Sequence, residues 1–298
     1  MPQRATLYFN SRSRQGAVGL DQARRLLMDG GIEVVESHTF ANAQRLMWAV
    51  ETDVRRKMPL IIVGGGDGTL SAAAQYLSGK ESILGVLPAG TGNAFARDLG
   101  ISTNIEAACG AILNGKVAKV DVGIIGDRKF LNVATIGLST RIAMGLQPSE
   151  KRILGRWAYI MSLSRALATI RPFRVRLELA SGVFEFDSLQ VVIGNGRFHA
   201  GPFPVAPDAS ITGGWLSIYA LASSRKSALL KLAIDRLGGD FVKFEEVKSF
   251  RVHSGRLSTE PSKRITIDGE TCLRAPVDFG IAAQSLKVMT PIDFAEDY

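Results

Sequence analysis

The stretch Pro59–Ser71, PLIIVGGGDGTLS, constrains this chain more than any other. An apolar strand runs into Gly64, Gly65 and Gly66, then into Asp67, Gly68 and Thr69, and a helix-like SAAAQYL follows. Glycine lacks a Cβ, so such a backbone can take φ > 0 and approach a ligand closely. N–H groups turned outward at a strand-to-helix junction attract anions, and the helix N-terminus adds its positive end. A plain strand-to-helix turn would need only one or two glycines, because each weakens the element it interrupts. Phosphate binding is the better account of the run. Asp67 sets a carboxylate beside those phosphates, where its simplest use is to hold Mg²⁺, directly or through water. Neither G-x-x-x-x-G-K-[ST] nor the dinucleotide pattern G-x-G-x-x-G occurs.

The flanking sequence alternates strand and helix. ATLYFN (Ala5–Asn10) is a short strand, Leu20–Met28 has a helical pattern ended by Gly30 and Gly31, and IEVVESH (Ile32–His38) is strand-like. A helix is expected from about Ala41 to Val54, with Thr39 as a candidate ligand contact or helix N-cap. Asn10 is placed to hydrogen-bond a ligand or to make a turn. A second glycine-rich loop, Ala89–Asn93, lies between another strand and another short helix in SILGVLPAGTGNAFARDLG. Two such loops in a β-α alternation fit an open parallel sheet. Ligands of these sheets sit at the carboxyl ends of the strands, so both loops would face one cleft. Thr91 and Asn93 can donate to phosphate or ribose oxygens. Turn and capping duty is the other reading, and it is strongest for Asn93. Arg97 either reaches a phosphate or decorates its helix.

Near Asp121–Ile124 the pattern becomes β-rich. FLNVATIGLST, RVRLELASGVFEFDSLQVVIGNG, GWLSIYAL, SFRVHS, RITIDGE and SLKVMT read as short strands, with one helical interruption over Ser223–Leu237. Such a run predicts an antiparallel sandwich. At 298 residues two domains are expected, an N-terminal open α/β domain over 1–122 and a β-rich domain over 123–283. Cys109 and Cys272, with no C-x-x-C, argue against a disulfide framework or zinc ribbon and fit a reducing cytosol. MPQRATLYFN lacks the apolar core of a signal peptide, and no apolar run is long enough to span a bilayer. The net charge of +8 admits nucleic acid, an anionic membrane surface or phosphorylated ligands as partners. No nucleic-acid recognition motif is present. Residues 150–176 carry Lys151, Arg152, Arg156, Arg165, Arg171, Arg174 and Arg176, interleaved with Trp157, Tyr159 and aliphatic residues. This reads as an amphipathic helix suited to an anionic membrane interface, or as a solvated cover on the sandwich.

GGGDGTL followed by LPAGTGNAFARDLG resembles the catalytic domain of the diacylglycerol kinase and lipid kinase family, which is related to sphingosine kinases, NAD kinases and phosphofructokinases. GGGDGT is shared across that group, while the second loop points to the lipid kinase branch. LGRWAY, NGRFHAGPFPVAPDAS and IDGE extend the resemblance over nearly the whole chain. It implies an NAD kinase-like N-terminal domain, to which the tail over about 284–298 returns, and a C-terminal β-sandwich. It also implies ATP with Mg²⁺, and γ-phosphate transfer to a lipid hydroxyl by a cytoplasmic, peripherally membrane-associated enzyme. From the residues alone, Asp268-Gly269 is a hairpin turn and Glu270 an exposed turn residue. The resemblance makes Glu270 the general base and Asp67 the organiser of Mg²⁺, with Asn10, Thr39, Gly64, Gly65, Gly66, Gly68, Thr69, Thr91 and Asn93 around the nucleotide.

The chain departs from the family in three places. Gly213 stands where an aspartate helps hold a second, structural Mg²⁺. Ala94 follows Asn93 where many relatives have Asp, and Asn10-Ser11 replaces Asn-Pro. Asp67, Asp121 and Glu270 are kept. An active ATP-dependent lipid kinase is therefore expected, with a non-catalytic lipid- or nucleotide-binding relative as the alternative.

Overall fold

The structure is a computed structural model that describes residues 4–13, 16–137, 170–198, 206–225 and 246–296. Strands β1 (Arg4–Asn10), β2 (Glu33–Phe40), β3 (Leu60–Gly65) and β4 (Ile83–Pro88) are parallel, in the order β2-β1-β3-β4. Leu60, Ile61, Ile62 and Val63 are wholly buried, as the unbroken apolar run of a two-face-covered parallel strand requires. Helices α1 (Gly16–Asp29), α2 (Ala43–Arg55), α3 (Asp67–Leu77), α4 (Ala94–Asp98) and α5 (Ile105–Asn114) cross over between or follow these strands. The chain leaves β1 towards β2 on one side and returns to β3 on the other. The switch point therefore lies between β1 and β3, where open α/β sheets bind ligands.

Thr39 does not cap α2. It lies inside β2, opposite Phe9, and the N-cap is Asn42, whose side chain accepts from the N–H groups of Gln44 and Arg45. The strand continues to Phe40 because that ring packs edge-on against Tyr8, with centroids 5.7 Å apart. Helix α1 likewise begins earlier than expected, at Gly16.

Strand β5 (Lys116–Ile125) pairs antiparallel with the long final strand β16 (Val277–Thr290), which also lies parallel to β4. The β5–β16 register shifts between Ala282 and Leu286. Beyond the shift, Leu286, Val288 and Met289 join the core of the parallel sheet. Before it, Val277 and Phe279 join a second core.

That second core fills a sandwich. One layer continues the 10-stranded sheet through β16, β13 (Ser254–Glu260), β8 (Phe173–Leu179) and β9 (Gly182–Ser188), with β6 (Arg128–Phe130) paired to β5. The other is a 6-stranded sheet in the order β12-β11-β10-β7-β14-β15. Its strands are β7 (Val133–Gly137), β10 (Gln190–Gly194), β11 (Leu216–Leu221), β12 (Val247–Val252), β14 (Arg264–Ile267) and β15 (Glu270–Arg274). Inward residues alternate along each strand, as in Phe173, Val175 and Leu177 facing Val191, Ile193, Leu216 and Ile218. The α/β domain with an antiparallel β-sandwich stands as expected.

The expected basic helix does not reach Arg176. Arg174 and Arg176 are on β8, because the alternation FRVRLEL buries every second residue. Their guanidinium groups pair with Glu185, Asp187 and Glu178 instead of facing a membrane unpaired. Most of that segment, including Trp157 and Tyr159, lies outside the described residues, as does most of the helix expected over Ser223–Leu237.

Candidate active site

The first glycine loop is built by close packing. Gly66 is the N-cap of α3, with φ −89° and ψ −178°, and Asp67 opens the helix. None of Gly64, Gly65, Gly66 or Gly68 has positive φ, contrary to the freedom expected of them. A Cβ would collide at Gly64 and Gly65 and would be tight at Gly66 and Gly68. At Gly64 it would meet the Phe9 ring at 2.5 Å, and at Gly65 the Thr69 side chain at 2.7 Å. A Cβ on Gly90 would sit 2.5 Å from the Gly66 Cα, whereas one on Gly66 would sit 3.2 Å from the Gly90 Cα. The two glycine loops therefore touch backbone to backbone. Gly90→Ala is expected to destabilise the fold by about 1–3 kcal/mol, the usual range for overpacking, and to do so more than Gly66→Ala. Equal denaturation midpoints for the two variants would contradict this packing.

Asn10, at the end of β1, donates from Nδ2 to the Thr69 Oγ1 at 3.0 Å and accepts from the Arg12 N–H at 3.0 Å. It thus ties the end of β1 to the first turn of α3 at the switch point. Thr39 ends up exposed near the carboxyl end of the neighbouring strand. Asp67 Oδ1 accepts the Phe95 N–H at 3.3 Å, which joins the start of α3 to α4. Asn93 is buried in the left-handed region, φ 49°. Its Oδ1 accepts the Gly90 N–H at 2.9 Å and its Nδ2 donates to the Gly90 carbonyl at 3.0 Å. Its amide closes the second loop on itself. Thr91, Arg97 and Thr103 line an open cavity of about 350 Å³ beside that loop, and Arg97 Nε donates to the Gly92 carbonyl at 3.2 Å.

The sandwich faces these loops with the β14–β15 hairpin. Asp268 (φ 45°) and Gly269 (φ 94°) form its two-residue turn, both left-handed as a type I′ turn requires. The turn delivers Glu270 to the first turn of α3, where Glu270 Oε1 lies 3.3 Å from the place a Cβ on Gly68 would occupy. Gly68 leaves room for that carboxylate. Helix α3 is also docked on the sandwich through Gln75, whose Nε2 donates to the Lys129 carbonyl at 2.6 Å and whose Oε1 accepts the Lys129 N–H at 3.0 Å.

Asp121 is fully buried, and backbone N–H groups occupy both its oxygens, Gly214 at 2.6 Å and Gln284 at 2.7 Å. Burial raises its pKa against the pull of these bonds. At Gly213 a Cβ would strike the Trp215 ring at 2.7 Å. Among the described residues no three His, Cys, Asp or Glu side chains cluster for a metal. Gly213 brings no side-chain ligand to a second cation, and both oxygens of Asp121 already accept backbone N–H groups. Mg²⁺ held mainly by water and a nucleotide's phosphates needs only one or two carboxylates, and Asp67 fits that role.

Two residues not singled out in the sequence help to hold the cleft together. Asp98, 6% exposed at the end of α4, accepts from Arg197 N at 3.0 Å and Nε at 2.9 Å. A Cβ on Gly196 would meet Asp98 Oδ2 at 2.5 Å, so that glycine admits the carboxylate. Burial pushes the Asp98 carboxyl up to about 6, although the Arg197 guanidinium opposes the shift. An acid raised on folding stabilises most below its unfolded value, near ~4, and that stability is lost as pH rises through the folded value. Asp98→Asn is expected to flatten the fall in unfolding free energy between about pH 4 and 6, read by urea titrations across that window. An unchanged slope would contradict the assignment.

An open α/β sheet with two glycine loops, met by a carboxylate from an antiparallel sandwich, defines a two-module architecture. Residues 4–125 match the model of the diacylglycerol kinase catalytic domain, and residues 132–290 that of the YegS C-terminal NAD kinase beta sandwich-like domain. The chain belongs to the diacylglycerol kinase family. It is 26% identical to a diacylglycerol kinase of Staphylococcus epidermidis over 98% of this chain and 94% of the relative. It is 25% identical to the diacylglycerol kinase of Bacillus subtilis over 99% of this chain and 98% of that one. A crystal structure of a putative diacylglycerol kinase from Bacillus anthracis superposes with a TM-score of 0.83 at 25% identity, over 98% of this chain and 97% of that chain. No helix among the described residues is long and apolar enough to cross a membrane.

Proposed function

We infer that this protein is an ATP-dependent lipid kinase that transfers the γ-phosphate to a lipid hydroxyl, of diacylglycerol or a related lipid. The observation that carries this reading is Glu270 meeting the first turn of α3 beside Asp67. Phosphoryl transfer asks little covalent chemistry of the protein and much positioning. The two glycine loops and the N-terminus of α3 hold the phosphates. Asn10 and Thr69 fix the loop at the switch point, and Thr39 and Thr91 flank the nucleotide. Asn93 acts by shaping the second loop. Asp67 holds Mg²⁺ through water, and the cation neutralises charge on the phosphates. Glu270 accepts the proton of the acceptor hydroxyl as its oxygen attacks.

Residues 1–122 with the tail over 284–298 form the nucleotide module, and residues 123–283 the lipid module. A net charge of +8 suits peripheral contact with an anionic, cytoplasmic membrane surface. The lack of a side-chain ligand at Gly213 and the bonded oxygens of Asp121 favour one other reading, a relative that binds lipid without turnover. Calorimetry separates the two. The kinase binds ATP in a Mg²⁺-dependent way and leaves NAD unphosphorylated. A lipid-binding module binds no Mg·ATP, and that result would overturn the proposal.

A further inference from the structure

Asp268 has a place in the cleft that its turn position does not explain. Its carboxylate accepts three successive backbone N–H groups, Leu131 at 2.8 Å on one oxygen, and Asn132 at 3.0 Å and Val133 at 2.9 Å on the other. The Ser71 side chain of α3 donates to the same carboxylate. Its own N–H donates to the Val133 carbonyl at 3.0 Å. Successive N–H groups of this kind form an anion-binding concavity. Here it is filled by a side chain of the chain itself, 7% exposed. A hairpin turn needs none of this, because the backbone signs at Asp268 and Gly269 already close it.

Ser71 lies one turn after Asp67 and Gly68 on α3, and Glu270 is two residues from Asp268. One buried carboxylate therefore bonds the helix that carries Asp67, the strand connection before β7, and the hairpin that carries Glu270. We propose that Asp268 is a positioning residue for phosphoryl transfer, which sets the Glu270 carboxylate against the first turn of α3 by bonding the 131–133 N–H groups and Ser71 together. This rests on Glu270 being the general base.

In Asp268→Asn, an amide NH₂ replaces one acceptor oxygen facing those N–H groups. Hydrogen bonds to a charged group contribute about 1.5–3 kcal/mol, so amide exchange at residues 131–133 and 268–270 should quicken by about tenfold or more. Exchange in β3 and β4 should not change. This readout is independent of any acceptor lipid. With ATP and dioleoylglycerol in mixed micelles, kcat should fall about 100-fold, the order expected of a displaced catalytic group, with the KM for ATP near the parent's. Asp268→Asn combined with Glu270→Gln should be no slower than Glu270→Gln alone, because residues acting as one unit are not additive.

Ser71→Ala keeps the N–H cradle and tests the helix link if Asp268→Asn does not fold. It should lower kcat several-fold, with the thermal midpoint near the parent's. Unchanged exchange at 131–133 in Asp268→Asn overturns the proposal. So does parental kcat in a folded Asp268→Asn or in Ser71→Ala, or a further loss in the double variant. Parental turnover by Glu270→Gln would instead remove the general base itself, a separate failure.

Discussion

Glu270→Gln is expected to bind Mg·ATP as the parent does and to lose phosphoryl transfer by about 10²–10⁴-fold, the range general-base catalysis supplies. The substitution keeps the size of the side chain and its place on the hairpin while removing the capacity to accept a proton. Glu270 comes from the sandwich, whereas the glycine loops come from the parallel sheet. Nucleotide affinity and turnover should therefore separate. The acceptor hydroxyl has a pKa far above neutral, so without a base its attack depends on transient deprotonation by solvent. Calorimetry for binding and single-turnover kinetics for transfer make the test. A loss of ATP affinity equal to the loss of turnover would show that Glu270 supports the fold of the cleft instead of its chemistry.

Asp67→Asn should behave differently, with both affinity and rate falling. Asp67 opens α3, and its Oδ1 takes the Phe95 N–H at 3.3 Å, so the side chain sits between the two loops. An asparagine can still accept that bond but carries no charge for a cation. Charge-assisted contacts are worth about 1.5–3 kcal/mol, so Mg·ATP affinity should weaken by about 10–100-fold. Turnover at saturating ATP should fall as well, because the cation's position on the phosphates is lost. Titration with Mg²⁺ at fixed ATP reads the effect directly. Unchanged affinity and rate would remove the metal role from Asp67.

Much of this site was legible in the sequence because its local patterns have few solutions. Three glycines between an apolar strand and a helix, followed by a second glycine loop, define the carboxyl edge of a parallel sheet. Asp268-Gly269 is a hairpin signal that holds. The reasons for the individual glycines were not legible. Gly66 and Gly90 are small because of each other, 24 residues apart in the chain, and no window of sequence contains that contact. Thr39 and Asn42 are both acceptable caps, and the choice is made by Phe40 packing on Tyr8 from another strand. Arg174 and Arg176 fall where two readings overlap, the end of a basic helix and the start of the strand RVRLEL, and the burial of Phe173, Val175 and Leu177 decides for the strand. Strands β13 and β15 give no clear signal in the sequence, because SGRLSTE and ETCLR lack a clear apolar alternation. Asp98 and Asp268 carry no motif for their buried bonds, which join segments 99 and more than 130 residues apart. The nearest sequence signal was an acidic residue beside an apolar run, where burial would demand a partner.

The most direct test of the central claim is transfer of labelled γ-phosphate from ATP, with Mg²⁺, to a panel of lipid hydroxyl acceptors in mixed micelles. The panel should include diacylglycerol, monoacylglycerol, a sphingoid base, a prenyl alcohol and phosphatidylglycerol. The account predicts one labelled lipid, absent with Glu270→Gln. No labelled lipid together with no Mg·ATP binding would contradict it.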